Sequence, residues 1–456
     1  MMNAMIGAAK RMSWRRLYGM ATSNTGMVAS TVIIQNLIRL ISSLILTRLL
    51  DAEVYGVVGI VMAVAVVFGL LSDLGFVAFL IRSDKSVDSD FLDEIWSLRL
   101  IRSIILTILV IAGSGPIAGY LDKPELQMAI AASAGIFITE GLTSLGFATA
   151  VRSGKIIKIT IYDLTSGILQ TIVTIILAYY LRNYWAVIGA ILIGGVLRGF
   201  LSYIVFPQSG RRWKFSKSRA IELGRFSRYI VGSSVLTLIL GQADKVLLAR
   251  FLTLEALGFY IIASTLAQIL NGFAGPYSER ILYPNFSRIM REEPGEIRRQ
   301  YYASRTKINF LYLLAAGGLI TSAPLIIEML YDPRYREAAI YMQLLAFSGV
   351  FSLNNQAANW VLIALNRMWI TMMVNVVRII WLVGGGALGY YYYGSLGFVA
   401  AVGSVEFSAQ LYSWWALYRA GLLSIRQEAA MIGLVLVGAL MGYAVNMLGM
   451  EMIGGI

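Results

Sequence analysis

Residues 48–56 read Arg-Leu-Leu-Asp-Ala-Glu-Val-Tyr-Gly, and residues 250–258 read Arg-Phe-Leu-Thr-Leu-Glu-Ala-Leu-Gly. At an offset of 202, Arg48 meets Arg250, Leu50 meets Leu252, Glu53 meets Glu255 and Gly56 meets Gly258. Each stretch closes one long apolar run and opens the next. Reading outward from both, apolar segments fall at 26–50, 54–81, 100–120, 126–148, 161–181, 186–206, 229–249, 257–282, 308–330, 338–365, 371–393 and 396–418, with a further one at 429–449. Most are about 20 residues or longer, enough at 1.5 Å per residue to cross a hydrocarbon core of roughly 30 Å. Only 14% of the 456 residues are charged and 58% are hydrophobic, too few charges to cover a soluble exterior. The spans are helical, because an open sheet cannot satisfy its backbone in lipid.

Positive charge sets the orientation, since Lys and Arg are retained on the cytoplasmic side. Arg48, Lys123, Arg182, Lys245, Arg250, Arg334 and Arg336 fall on one side, and 28 of the 38 basic residues fall on the other. The N-terminus is therefore expected in the cytoplasm, and the net charge of +13 reflects topology. The run Arg211-Arg212-Trp213-Lys214, with Lys217 and Arg219, reads as an orientation signal touching anionic headgroups, not a nucleic-acid patch. Lys10, Arg11, Arg15 and Arg16 read the same way, and nothing is expected to be cleaved from the N-terminus. The repeat places six spans in each half with the same orientation, around an axis along the membrane normal. The expected organisation is a cytoplasmic N-terminal segment at 1–25, a six-helix lobe at 26–207 and a basic cytoplasmic inter-lobe loop at 208–228. A second six-helix lobe follows at 229–418, then a linker and one extra C-terminal hydrophobic helix at 419–456.

Composition also excludes chemistry. With no Cys and no His there is no disulfide, thiolate nucleophile, imidazole base or HExxH site. Gly154-Lys155 is followed by Ile156, so the hydroxyl of a phosphate-binding loop is missing. Asp88-Ser-Asp90 has the DxD form that can hold a metal for nucleotide-sugar transfer. It sits in an acidic stretch with Asp84, Asp93 and Glu94, and a solvated loop is the simpler reading.

The corner Arg48-x-Leu50-x-x-x-Glu-x-x-Gly after the first span resembles that of Wzx-type oligosaccharide flippases of the polysaccharide transporter family. So do Gln242-Ala-Asp-Lys-Val-Leu-Leu-Ala-Arg250 and Ile281-Leu-Tyr-Pro-Asn-Phe-Ser-Arg288. That family is grouped with the multidrug and toxin exporters and the lipid II flippases. The resemblance implies an all-α integral membrane protein of about 12 core helices, in two pseudo-symmetric bundles forming a V. It implies transport, not enzymatic turnover: flipping of an undecaprenyl-pyrophosphate-linked oligosaccharide to the outer leaflet of the bacterial cytoplasmic (inner) membrane, for O-antigen, capsule or exopolysaccharide. No resident cofactor is expected; the drive is a proton or sodium gradient or the membrane potential. Expected partners are the lipid-linked oligosaccharide and membrane lipids, with a polysaccharide polymerase and chain-length proteins as candidates, and no nucleic acid.

Polar stripes inside the spans supply site candidates. Asn24, Thr31, Gln35, Arg39 and Ser42 share one face of the first span; Ser233, Ser234, Thr237, Gly241, Asp244 and Lys245 form a comparable stripe on the seventh. Ser348, Ser352, Asn355 and Asn359 mark the tenth, and Thr371, Asn375 and Arg378 the eleventh. Such stripes face either a wet cavity or other helices. Arg39 lies about 13 residues into its span, roughly 20 Å deep, and a buried cation there costs about 2.5–3.5 kcal/mol. It either meets an anionic headgroup or pairs with Glu140 or Glu406. Arg198 and Arg378 are shallower, and with Gln35, Asn355 and Asn375 complete the candidate cationic cavity. Glu406, Glu140, Asp73 and Asp163 are candidates for ion coupling, with a fixed ion pair as the alternative. Asp244 and Lys245 read as pinning a corner. A cation-coupled multidrug or small-solute exporter is one rival reading, weakened because the first span holds Arg39 and no acid. A membrane polysaccharide polymerase or glycosyltransferase is the other, weakened by outer connections of a few residues.

Overall fold

A computed structural model describes residues 24–83, 88–153, 155–207 and 212–454. Lys10, Arg11, Arg15, Arg16, Asp84, Gly154 and Arg211 lie outside the described residues, as do the side chains of Asn24, Thr31, Ser233, Ser234 and Thr237. Every regular element among the described residues is helical. Among the described residues seven helical runs are long and apolar enough to cross a membrane, or nine if each of two bent pairs counts as one span. The protein is thus an all-α, multi-pass membrane protein. Its contacts divide it into two compact units, one of residues 1–51 and 61–238 and one of residues 52–60 and 239–456.

Helix α1 (Asn24–Leu49) is followed by α2 (Ala52–Leu71), whose residues 52–60 belong to the second unit and whose remainder belongs to the first, and then in the first unit by α3 (Phe76–Arg82) and α4 (Ser89–Tyr120). The stretch 54–81, expected as one continuous span, is broken between α2 and α3. Ser72 turns its hydroxyl onto the Phe68 and Gly69 carbonyls, at 2.7 and 3.0 Å, and competes with the helix ladder. Asp73 Oδ1 then accepts the Gly75 N–H at 2.8 Å and closes the turn. The fourth expected span, 126–148, is broken as well, into α5 (Gln127–Ser133), α6 (Gly135–Leu142) and α7 (Gly146–Arg152), with a 55° bend before α7. Helices α8 (Ile156–Leu181) and α9 (Tyr184–Val205) are unbroken and pack along each other.

The linker that follows is held to the start of α4. Arg212 N–H donates to Asp93 Oδ1 at 3.1 Å and Lys214 N–H to Ser97 Oγ at 2.8 Å. Lys214 Nζ reaches Asp90 at 2.7 Å, and Arg219 meets Glu94 at 3.1 Å while its guanidinium lies 4.6 Å from the Phe91 ring centre. The hydrogen bond it donates to Asp90 raises the pKa of the Lys214 ammonium above its ordinary value. Asp88 caps α4 by accepting the Asp90 N–H. The acids of the DxD stretch are therefore occupied by the linker and the helix end, and among the described residues no group of three acids could hold a metal.

Helix α10 (Lys217–Phe251) carries the chain into the second unit, where α11 (Leu254–Tyr277) and α12 (Tyr283–Glu292) follow. The repeated corner has a structural reason there. A Cβ on Gly56 would lie 1.9 Å from the Leu254 carbonyl oxygen, and one on Gly258 would lie 1.9 Å from that of Ala52. At the offset of 202, these are the same contact made twice, so both positions need hydrogen as the side chain.

Span 308–330 bends by 72° between α13 (Ile297–Thr321) and α14 (Ala323–Leu330), where Pro324 cannot supply the amide a continuous helix requires. After α15 (Ala338–Ala364) and α16 (Met368–Ile380), the chain passes through a π-helical turn at Trp381–Gly385 into α17 (Gly386–Gly403). Gly394 has φ 61° and ψ −145°, a backbone region open essentially to glycine alone. The chain folds back there, so that Gly389 and Gly397 touch. Helix α18 (Val405–Arg419) leads to α19 (Ile425–Gly454), the expected extra C-terminal helix.

Helix α19 is built into the second unit along α13. A Cβ on Gly317 would meet the Val435 carbonyl oxygen at 2.1 Å, and one on Gly438 that of Leu314 at 2.3 Å. This close approach is the small-residue packing common in membranes. Arg305 on α13 is fully buried and paired with Glu428 on α19. Trp414 Nε1 donates to the other Glu428 oxygen at 3.0 Å, and the Tyr301 and Tyr302 rings flank the guanidinium at 4.2 and 4.7 Å.

Replacing Glu428 by Ala strands a buried cation. It is expected to destabilise the purified protein by about 3–5 kcal/mol, read as a lower unfolding midpoint in detergent. Gly258→Ala drives a methyl into backbone and is expected to cost about 1–3 kcal/mol in the same assay.

Candidate functional site

A cavity of about 800 Å³ opens within the first unit. Its wall comes from α1, α3, α4, α6, the break before α7, α7, α8 and α9. Sequence-predicted residues converge on it: Gln35 and Arg39 from α1, Glu140 from α6, Asp163 from α8 and Arg198 from α9. Tyr162, Ser166, Gln170 and Thr171 of α8, with Thr139 and Thr143, supply neutral hydrogen-bonding groups. Room is made by Gly194 on α9: a Cβ there would lie 1.4 Å from Gln170 Oε1, whose amide donates to the Ala190 carbonyl at 3.0 Å.

The cations of this region are held in different ways. Arg39 is exposed, and among the described residues it makes no ion pair, with Glu140 or otherwise. Arg198 touches Asp163 through one nitrogen at 3.4 Å, its Nε donates to the Tyr162 hydroxyl at 3.3 Å, and its guanidinium lies 5.4 Å from the Tyr162 ring centre. Arg99 also lines the cavity but is tied down, donating to the Thr143 and Gly141 carbonyls and to Thr143 Oγ1. Behind it, Arg102 donates to the Ser72 and Gly69 carbonyls at 2.7 and 3.0 Å and lies 3.9 Å from Glu140.

Arg99 and Arg102 were hidden from sequence reading. Counted as cytoplasmic flank before a span starting near residue 100, they lie 10 and 13 residues beyond the start of α4 at Ser89. The available signal was that two helix breaks in a membrane leave carbonyls without partners, and arginine is the side chain best able to serve several at once. Glu140 and Asp163 meet at this cavity; Asp73 instead closes the turn before α3.

The remaining predicted residues lie in the second unit and form a separate cluster. Arg378 donates to Glu406 at 2.8 Å and to Asn375 Oδ1 at 2.9 Å. Asn355 donates to both the Glu406 carboxylate and its backbone carbonyl at 2.7 Å. Asn355 is 2% exposed and Ser352 6%, so the stripe on α15 packs helices together. The fixed-pair alternative for Glu406 is therefore what the structure contains, and its partner is Arg378, not Arg39. At the corner, the Tyr260 hydroxyl donates to Asp244, and Lys245 Nζ donates to Gln242 at 3.2 Å.

Residues 45–340 match the family model described as "Polysaccharide biosynthesis protein", and the chain belongs to that family. It is 22% identical over 305 residues to the succinoglycan biosynthesis transport protein ExoT of Rhizobium meliloti (strain 1021). That match covers 67% of this chain and spans 61% of ExoT. It is 20% identical over 373 residues to the lipopolysaccharide biosynthesis protein WzxC of Escherichia coli (strain K12), covering 81% and 74% of the two chains. Among solved structures, the lipid II flippase MurJ in an inward closed conformation superposes with a TM-score of 0.73 at 13% identity, over 92% of each chain. A multidrug resistance MATE family transporter of the MOP superfamily follows at 0.62 and 14%, over 88% and 95%. The fold is the one these transporters share.

The geometry separates two kinds of arginine by their effect on stability. Arg102→Ala uncovers the carbonyls at the end of α2 and is expected to lower unfolding stability by about 1–3 kcal/mol. Arg39→Ala, which breaks no contact of this kind, is expected to change it by less than about 0.5 kcal/mol. Parallel thermal melts of the two purified variants check both.

Proposed function

We propose that the protein is a flippase that moves undecaprenyl-pyrophosphate-linked oligosaccharide from the inner to the outer leaflet of the bacterial cytoplasmic membrane, by alternating access, for polysaccharide assembly. The observation that carries this reading is the cavity of about 800 Å³ whose wall holds Arg198 and Arg39, the latter with no ion pair among the described residues. A pyrophosphate is the ligand such guanidinium groups suit, through charge-assisted and often bidentate hydrogen bonds. The hydroxyl and amide groups of Gln35, Gln170, Thr139 and Ser166 suit sugar hydroxyls. Family membership, and the names of the relatives ExoT and WzxC, place such chains in polysaccharide biosynthesis and transport.

In this reading Arg39, Arg198 and Gln35 bind the headgroup, the repeat supports 12 core helices in two six-helix lobes, and the distribution of Lys and Arg supports an N-terminus in the cytoplasm. Lobes at 26–207 and 229–418, joined through 208–228, remain the proposed organisation between the 1–25 segment and the 419–456 tail. Arg378, Asn375 and Asn355 form a second anion contact, entered only when Glu406 releases Arg378. For coupling to protons or sodium, Glu140 and Asp163 face the cavity, and Glu406 is the acid of the second unit; Asp73 has no such support. A polymerase and chain-length proteins remain candidate partners.

Depleting the protein, in a strain with no other flippase, is expected to leave lipid-linked repeat units in the inner leaflet. Units still reaching the outer leaflet at normal rates would refute the proposal. Arg39→Ala is expected to reduce glycan export at normal protein level and Arg39→Lys to restore part of it; unchanged export in both removes Arg39 from the binding site.

A further inference from the structure

The ion pairs of the membrane-spanning helices differ in kind. Arg305–Glu428 is fully buried and supported by a tryptophan and two rings. Arg378–Glu406 sits at 2.8 Å inside a lattice of asparagine hydrogen bonds. Arg198–Asp163 is looser: beside it stand the Tyr162 hydroxyl, 3.3 Å from Arg198 Nε, and the Tyr162 ring, 5.4 Å from the guanidinium. It is a single contact of 3.4 Å between a side chain 54% exposed and one 26% exposed, and both line the cavity. Pairs so wet and so loosely aligned contribute little to stability.

A carboxylate in that place has a consequence for any anion that enters. It sits against one nitrogen of the Arg198 guanidinium, so a phosphate that takes both terminal nitrogens displaces it. Once displaced, it remains within a few ångströms of the new charge and repels it. The charged and titratable groups that line the cavity with Asp163 are Arg198 from α9, Arg39 from α1, Arg99 from α4 and Glu140 from α6, beside its own neighbour Tyr162 on α8, and the one it touches is Arg198. Glu140 has its ion pair with Arg102, which lies behind the cavity wall, whereas Asp163 has its ion pair with the cavity-lining Arg198. A wall with Arg39 and Arg198 both free would hold a pyrophosphate tightly, and a transporter must let its cargo go.

We propose that Asp163 is the release group of this cavity: a built-in counter-ion that weakens binding of a phosphate-bearing headgroup at Arg198 and so permits its departure. The proposal rests on the flippase reading and adds to it a residue whose loss improves binding while impairing transport.

The test uses the full-length protein in nanodiscs for binding and in proteoliposomes for flipping, with undecaprenyl pyrophosphate as probe and uncharged undecaprenol as control. Asp163→Asn keeps the shape and a hydrogen-bonding oxygen but removes the charge. It is expected to bind the pyrophosphate lipid about three- to ten-fold more tightly, with undecaprenol unaffected, and to flip it more slowly than wild type. Asp163→Ser serves as the second neutral variant if Asn lowers the yield of folded protein, with a thermal melt recorded for each. Adding Asp163→Asn to Arg198→Gln is expected to tighten binding by less than Asp163→Asn does in wild type, because the competition for Arg198 is gone and only the direct repulsion is left to remove. Unchanged or weaker binding in both neutral variants overturns the proposal, weaker binding meaning that Asp163 only positions Arg198. Tighter binding with undiminished flipping overturns it too. A wild-type protein that binds the pyrophosphate lipid no better than undecaprenol instead refutes the flippase reading itself.

Discussion

In hydrocarbon, every backbone amide and carbonyl must find its partner within the protein. An unbroken helix meets that demand alone. This chain breaks its helices at Ser72–Gly75, at Thr143–Leu145 and at Ser322, and each break frees polar groups that must be served. Arg102 serves the end of α2 through Nε and Nη2, and Arg99 the end of α6 through Nη2. Ser202 Oγ accepts the Ser144 N–H at 2.8 Å, and Asn446 accepts the Leu325 N–H at 3.0 Å. The breaks and their partners are thus a single design, and the cavity follows from it. The irregular backbone at Thr143–Leu145 and the polar side chains around it form part of the cavity wall, where water can enter without meeting lipid.

The same constraint explains why arginine carries so many roles here. Its five donors let one side chain cover a helix end, bridge to a carboxylate or face a cavity. What distinguishes the roles is saturation. Arg102, Arg305 and Arg378 each give two or more close contacts to protein groups; Arg198 makes longer ones, and Arg39 makes no ion pair among the described residues. Binding capacity for an anion therefore rises in that order, from the scaffold to the cavity.

Much of this was legible in sequence, and the parts that were not share a cause. Apolar runs marked helices, since crossing lipid demands both length and composition, and the repeat from Arg48 to Gly56 was a true structural recurrence. Gly56 and Gly258 each allow a close backbone contact that no other residue permits. The corner was thus readable, but its partner across the contact was not. Span 54–81 was read as continuous because Ser72 and Asp73 are compatible with a helix until their side chains turn back on the chain. Arg39, Arg198, Glu140 and Asp163 were found as site candidates because each charge sits inside an apolar run. Arg99 and Arg102 were missed because charges near the end of an apolar run look like flank, and only the true start of α4 at Ser89 shows them to lie inside. Arg378 and Glu406 were found singly and assigned different tasks; their pairing depends on α16 and α18 meeting, which no local pattern records.

By itself the sequence determined that the chain is helical, membrane-embedded and internally repeated, and which few charges reside among apolar neighbours. These properties are set by residue type and period along the chain, where hydrophobic transfer and backbone satisfaction act locally. The tertiary structure alone decided which charges are spent and which are available. Whether an arginine meets a carbonyl, a carboxylate or open water is fixed by side chains distant in sequence, and a charge's chemistry depends on those partners more than on its own identity.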